Sequence, residues 1–320
     1  MTLARRGLLL AACASLAGCA GLVVPGPRQS LATAGLPARH ELAQVPFHPQ
    51  TEYQCGPAAL ATVLEYAGAA RTPQQLVEQV YVPARKGSLQ PEMLGATRRA
   101  ARLPYVLAPS LQDLLREVAA GHPVLVLQNL RWDLLPQWHY AVVVGYDLEQ
   151  GEVVLRSGTE RRLLMSLDAF DRSWARAERW AFVALPPDQL PATAAEHAYV
   201  ATASALERVA PEAGQRAYER ALAAWPGNLF ARMALGNAAY RRGELASAPS
   251  AYRQATGDHP QARRAWNNLA QVLHELSQPA EAHAAAQRAV SLGGARRATY
   301  QSTLATIEQG VQVAPGTQAR

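Results

Sequence analysis

Along the first half of the chain, apolar positions recur first at helical spacing and then in unbroken runs. Ala58 to Ala67 is an alanine- and leucine-rich helical stretch, and Pro57 suits its first turn. A second helix is expected over Thr72 to Val80, begun by Thr72-Pro73, with weaker ones over Gln90 to Ala101 and Ser110 to Ala120. The pattern then changes. Pro123 to Leu127, His139 to Tyr146, Gly151 to Gly158 and Trp180 to Ala184 are short runs rich in β-branched and aromatic residues. The turn at Leu148 to Gly151 makes the second and third of these a hairpin. Helices first and antiparallel strands afterwards predict an α+β domain. From about residue 194 the spacing is helical throughout and repeats. At an offset of 34 residues Tyr218 maps to Tyr252, Ala221 to Ala255, Pro226 to Pro260, Leu235 to Leu269 and Ala246 to Ala280, and Gly236 falls opposite the small Ala270.

Such a period, with small residues where paired helices cross and a proline closing the second helix, resembles the tetratricopeptide repeat. Two good repeats, a degenerate one before them and a capping helix near Ala295 to Glu308 give about the number of units a stable stack needs. Trp225, Tyr252 and Trp266 lie at repeat-core spacing and are read as packing residues.

The first residues change the picture. Arg5 and Arg6 precede a short apolar run, Leu8 to Leu16, which ends in Leu16-Ala17-Gly18-Cys19. A bilayer span needs about 20 residues, so this run reads as a signal peptide. Its end resembles a bacterial lipobox, which implies diacylglycerol on Cys19. With Ala20 next, the same resemblance implies the periplasmic face of the outer membrane. Residues 20–43, with Pro25, Pro27 and Pro37, read as a flexible tether. The expected organisation is therefore signal peptide 1–19, tether 20–43, α+β domain 44–185, linker 186–193, helical repeats 194–310 and a disordered tail 311–320.

The 320 residues carry a net charge of +6, and losing Arg5 and Arg6 leaves +4. The basic residues are scattered rather than interleaved with aromatics, so no nucleic-acid partner is expected. His40, His48 and His122 show no ligand spacing, HExxH is absent, and no Gly-rich phosphate loop is present, so neither a metal nor a cofactor is expected. Of three cysteines, Cys13 leaves with the signal segment and Cys19 is the lipidation site. Cys55 is then the one free thiol, and no internal disulfide can form.

Cys55 stands where an extended segment enters a helix. There the helix field is expected to lower the thiol pKa, Gly56 keeps bulk away, and an upstream glutamine, Gln50 or Gln54, could offer its amide to an oxyanion. On this segment alone, a buried small residue explains Cys55 equally well. His139 opens a later strand and could exchange a proton with the thiol.

Gln50 to Tyr66 (QTEYQCGPAALATVLEY), Pro123 to Leu127 (PVLVL) and His139 to Asp147 (HYAVVVGYD) resemble the bacteriocin-processing, double-glycine peptidases of papain-like fold. The resemblance implies an α+β papain-like cysteine peptidase domain followed by an all-α tetratricopeptide-repeat solenoid. It implies Cys55 as nucleophile, His139 as general base and acid, and Gln50 as oxyanion donor. The family usually places Asp or Asn at the position occupied here by Ser157, so Ser157 is the expected orienter of the imidazole, with Asp147 and Glu160 as nearby carboxylates. The expected partners are a peptide or protein substrate and a protein held by the repeats, the membrane being met through the lipid alone. A non-catalytic adaptor, or an amidase or transferase using the same thioester, remains as a rival reading.

Overall fold

The computed structural model describes residues 35–49 and 54–313. The first helix, α1 (Cys55–Tyr66), has Pro57 in its first turn, where a missing N–H costs nothing. It ends in a Schellman turn: Gly68 takes a positive φ while Ala69 N–H donates to Leu64 and Gly68 N–H to Glu65. Helix α2 (Pro73–Val80) opens on a capping box in which Thr72 and Gln75 bond each other's backbone. A small hairpin, β2 (Tyr81–Val82) and β3 (Gly87–Ser88), leads into α3 (Gln90–Arg99).

The main sheet is antiparallel and has seven strands. Its strands are β1 (Arg39–Glu41), β4 (Leu103–Val106), β5 (Val124–Asn129), β6 (Trp138–Asp147), β7 (Glu152–Ser157), β8 (Glu160–Ser166) and β9 (Ala181–Leu185). They run in the order β4-β9-β5-β6-β7-β8, and β1 pairs with the far end of β6. Both faces of the sheet are covered, which is why β5 and β6 read as unbroken apolar runs rather than alternating ones. On one face Leu60 and Leu64 of α1 pack with Leu125, Val142, Val144 and Phe182. On the other, Val124, Val126, Ala141 and Val143 meet α4 (Leu111–Ala119) and α5 (Leu167–Ala175) through Leu114, Val118, Phe170 and Trp174.

Three pairs of helices follow. They are α6 (Glu196–Glu207) with α7 (Pro211–Ala224), α8 (Leu229–Arg241) with α9 (Ala248–Asp258), and α10 (Arg263–Glu275) with α11 (Pro279–Ser291); α12 (Arg297–Val313) covers the last pair. Gly236 explains the small residue at that repeat position, since a Cβ there would stand 2.6 Å from the Tyr252 ring.

Two expected boundaries move. The segment expected as tether, 20–43, holds β1 at its end, paired Arg39 to Asp147, His40 to Tyr146 and Glu41 to Gly145. Backbone pairing decides the outcome there, not the side chains. The last helix runs to Val313, past the boundary placed at 310. The expected linker, 186–193, is fastened to the α+β domain by Glu117. That buried carboxylate accepts from the backbone N–H groups of Ala192 and Thr193 and from the Thr193 hydroxyl.

Candidate active site

Cys55 is the first residue of α1, and it is half-buried. Burial pushes the thiol pKa up, against the opposing effect of N–H groups of Tyr140, Gly56 and Cys55 itself that point at the sulfur. The expected lowering by the helix start is thus present but outweighed by desolvation. Cys55 is a protonated thiol at neutral pH.

The N–H of Tyr140 reaches the sulfur because of where strand β7 stops. Leu130 N–H donates to the Gln137 carbonyl just beyond the β5–β6 pair, so residue 137 and, in β6, residues 139 and 141 turn their backbone groups toward β5. Tyr140 turns its own toward β7. The register between β6 and β7 ends at the pair Val142 and Arg156, so the Tyr140 N–H faces an open notch. The Cys55 sulfur fills it.

His139 stands beside the same notch. By strand alternation its ring lies on the face of Ala141 and Val143, whereas Tyr140 turns to the α1 face. Its Nε2 is 2.8 Å from Ser157 Oγ, at the end of β7. Burial lowers its pKa, favouring the neutral base. Thiol and imidazole therefore approach the end of β6 from its two sides. Among the described residues they are not hydrogen-bonded to each other. Neither alternative carboxylate reaches the ring. Asp147 lies at the other end of β6, where it caps the turn by accepting from Glu149 and Gln150 N–H, and Glu160 is exposed at the start of β8. Gln50 and Cys19 fall outside the described residues. Gln54 is the N-cap residue of α1 and makes no side-chain cap bond.

The peptidase C39-like family model matches residues 42–181. The chain carries a C39-like peptidase domain. Tetratricopeptide-repeat models match residues 204–255 and 234–299, and the helix pairs from α6 onward are such repeats. A solved structure from Bacillus anthracis, described as a candidate C39-like peptidase, is similar at 19% identity with a TM-score of 0.40, over 46% of this chain and 97% of its own. No curated protein matches the chain.

The C39-like domain also has site residues that the sequence did not single out. Ser88 of β3 packs on Gly56, where an added Cβ would lie 2.4 Å from its hydroxyl. Tyr140 OH donates to the Ser88 carbonyl at 3.2 Å, so one residue holds the sulfur with its backbone and the Ser88 rim with its side chain. Ser88 Oγ and Glu92 Oε2 are buried beside it without a hydrogen-bond partner among the described residues. Burial, with the nearby Cys55 and Glu92, pushes the Tyr140 phenol up, so it stays a donor. The β5–β6 connection exposes Trp132, Leu134 and Leu135, and the first residue of β6, Trp138, is exposed beside His139. No sequence signal marks Ser88, since its role depends on a hairpin folding back across more than thirty residues.

Proposed function

We propose that the protein is a lipid-anchored cysteine peptidase of the periplasm that hydrolyses peptide bonds through a thioester on Cys55, while its repeats hold a protein substrate or partner. The observation that carries this reading is the meeting of the Cys55 sulfur and the His139 strand at the end of β7, with Ser157 behind the imidazole at 2.8 Å.

With Nε2 engaged by Ser157, Nδ1 of His139 is the nitrogen available to the thiol. As the sulfur attacks the scissile carbonyl, the thiol proton passes to Nδ1 and the carbonyl becomes an oxyanion. The Cys55 N–H at the helix start, joined by Gln50, would stabilise that charge. Collapse breaks the C–N bond, and the imidazolium gives its proton to the leaving amine. Water, deprotonated by the same ring, then splits the thioester and returns the proton to sulfur. Thiol and imidazole both start neutral, so the proton moves during attack rather than beforehand. Apo geometry of this kind tightens when substrate is bound.

Changing Cys55 to Ala is expected to abolish both peptide hydrolysis and labelling by a peptidyl electrophile. Hydrolysis that survives the change rules the mechanism out. The anchor on Cys19 is tested by metabolic labelling with a fatty acid, which a Cys19→Ala chain should not incorporate. A second reading, a non-catalytic peptide-binding adaptor, is favoured by one feature: Ser157 stabilises an imidazolium far less than a carboxylate does. Covalent capture of Cys55 at neutral pH decides against it.

A further inference from the structure

Five of the eleven large apolar residues that are exposed among the described residues fall within nine positions: Leu130, Trp132, Leu134, Leu135 and Trp138. Scattered singly, such residues mean little; gathered together, they mark a surface that something else covers. They occupy the β5–β6 connection and the first residue of β6, and this turn is held rather than loose. Asn129 Oδ1 accepts from the N–H groups of Arg131 and Gln137, Leu130 N–H donates to the Gln137 carbonyl, and Leu135 N–H donates to the Trp132 carbonyl. Arg176, at the end of α5, donates twice to the Asn129 carbonyl. The backbone is thus engaged at its stem while the apolar side chains stand outward, Leu134 being 91% exposed and Trp132 74%.

The second observation is where the turn stands relative to the point at which the chain enters the domain. Trp138 begins β6, whereas β1 joins at Asp147, the other end of the same strand. The length of β6 separates these ends by about 30 Å. Residues 20–34, between Cys19 and Gly35, reach about 50 Å at full extension. A domain anchored at Cys19 therefore meets the bilayer with both ends when β6 lies along it. The charges suit that surface. Arg131 and Arg176 stand at the foot of the turn, and Asp133 is the one acidic residue of 130–138. Tryptophan and leucine at the tip with arginine at the base is the composition of segments that sit at a lipid–water boundary.

We propose that the turn 130–138 seats on the surface of a phospholipid bilayer, with Leu134, Leu135 and the two tryptophans in the interfacial layer and Arg131 and Arg176 among the headgroup phosphates. This orientation rests on the lipid anchor at Cys19 given above. The contact is weak by itself, and the tether makes it effective by holding the turn at high local concentration beside the bilayer. An apolar side chain of a substrate is a poorer occupant, because the tip projects and residues so exposed enclose nothing. Trp138 shares a side of β6 with Tyr140, whose N–H holds the Cys55 sulfur. The turn therefore brings the notch to the membrane surface, and the polypeptides offered to Cys55 are those that lie on that surface or emerge from it.

The test uses the full lipidated chain, in which Cys55→Ala and Leu134→Cys leave one thiol for an environment-sensitive NBD label. It is reconstituted in vesicles of phosphatidylethanolamine and phosphatidylglycerol. The emission is expected to shift to the blue and to lose intensity when the vesicles carry spin-labelled lipid. The same label at Ser302→Cys, exposed on α12, should show neither change. Adding Trp132→Ser and Leu135→Ser should remove the shift at 134. More phosphatidylglycerol should deepen the quenching, and Arg131→Gln should reduce that dependence. Flotation with the vesicles reads the anchor separately. A chain that floats while the 134 label stays water-like overturns the seating and leaves the anchor standing. A chain that does not float overturns both, the failure then lying in the anchor. A label that moves only when a peptide rich in Leu and Phe is added overturns the bilayer as occupant and assigns the turn to apolar peptides.

Discussion

At the scale of single residues, the candidate site consists of two half-buried neutral groups and one hydroxyl. Burial raises the Cys55 thiol and lowers the His139 imidazole. On the proposed mechanism the working pair, a neutral thiol and a neutral imidazole, is therefore kept over a wide pH range. Protonating His139 removes the base, and this happens below the ordinary imidazole value of about 6.5. Ionising Cys55 while the ring is neutral removes the proton needed by the leaving amine, and this happens above the ordinary thiol value of about 8.5. The kcat/KM profile should thus be a broad bell whose limbs lie outside both values. A narrow bell between them contradicts the electrostatics. Ser157 contributes one neutral hydrogen bond, worth about 1 kcal/mol. Changing it to Ala should lower kcat about tenfold at most, with KM nearly unchanged. A loss of several thousandfold would mean that another group orients the ring.

At the scale of elements, the placement of His139 depends on how β6 is held at both ends. Near its far end β6 carries an irregularity between Val143 and Gly145, beside the strand β1. A Cβ on Gly145 would stand 2.8 Å from the His40 carbonyl and 3.0 Å from Glu41 Cα, both backbone atoms that cannot swing away. Gly145→Ala should therefore cost about 1–3 kcal/mol, read as a lower Tm, by pushing β1 off the sheet. Unchanged stability would show that β1 contributes little. These same elements mark the limit of what the sequence revealed. β5 and β6 were legible because both faces are buried, and α1 because alanine, leucine and Pro57 agree. β1 was not, since Arg39, His40 and Glu41 read as tether. Nor was β8, whose Glu160, Arg161 and Arg162 are exposed. Helix α5 carries a local signal, Ser166 as N-cap and then Leu167, Phe170 and Trp174 on one side, but it is short and set between strand runs that dominate the pattern. Cys55 and His139 are nameable from motif and position, and Ser157 only through the family resemblance. The notch was not, because it exists only where the β6–β7 register stops.

At the scale of the whole molecule, the peptidase-like domain and the repeats share one core. Leu103 and Tyr105 of β4 belong to the same apolar cluster as Tyr199, Val200 and Ala203 of α6. The repeats are therefore carried at a set orientation to the notch, and not on a swinging arm. Glu117 is the polar fastening of that joint. Its carboxylate takes Ala192 N–H, Thr193 N–H, Thr193 OH and the His122 ring, while Tyr105 OH accepts from Ala195 N–H. Burial alone would raise the Glu117 pKa, yet the bonds from His122 and Thr193 outweigh it and the value is lowered. A depressed carboxylate contributes stability above the unfolded value, about 4.3, and loses it as pH falls through the folded one. Glu117→Ala leaves the donors unpaired and should destabilise the chain by on the order of 3 kcal/mol at neutral pH. If the joint transmits anything between the two units, the loss will also split thermal unfolding into two transitions. The parent should approach that behaviour only in acid, below the carboxylate range. A single transition in Glu117→Ala, with a Tm equal to the parent's, would mean that the shared apolar core holds the units together unaided.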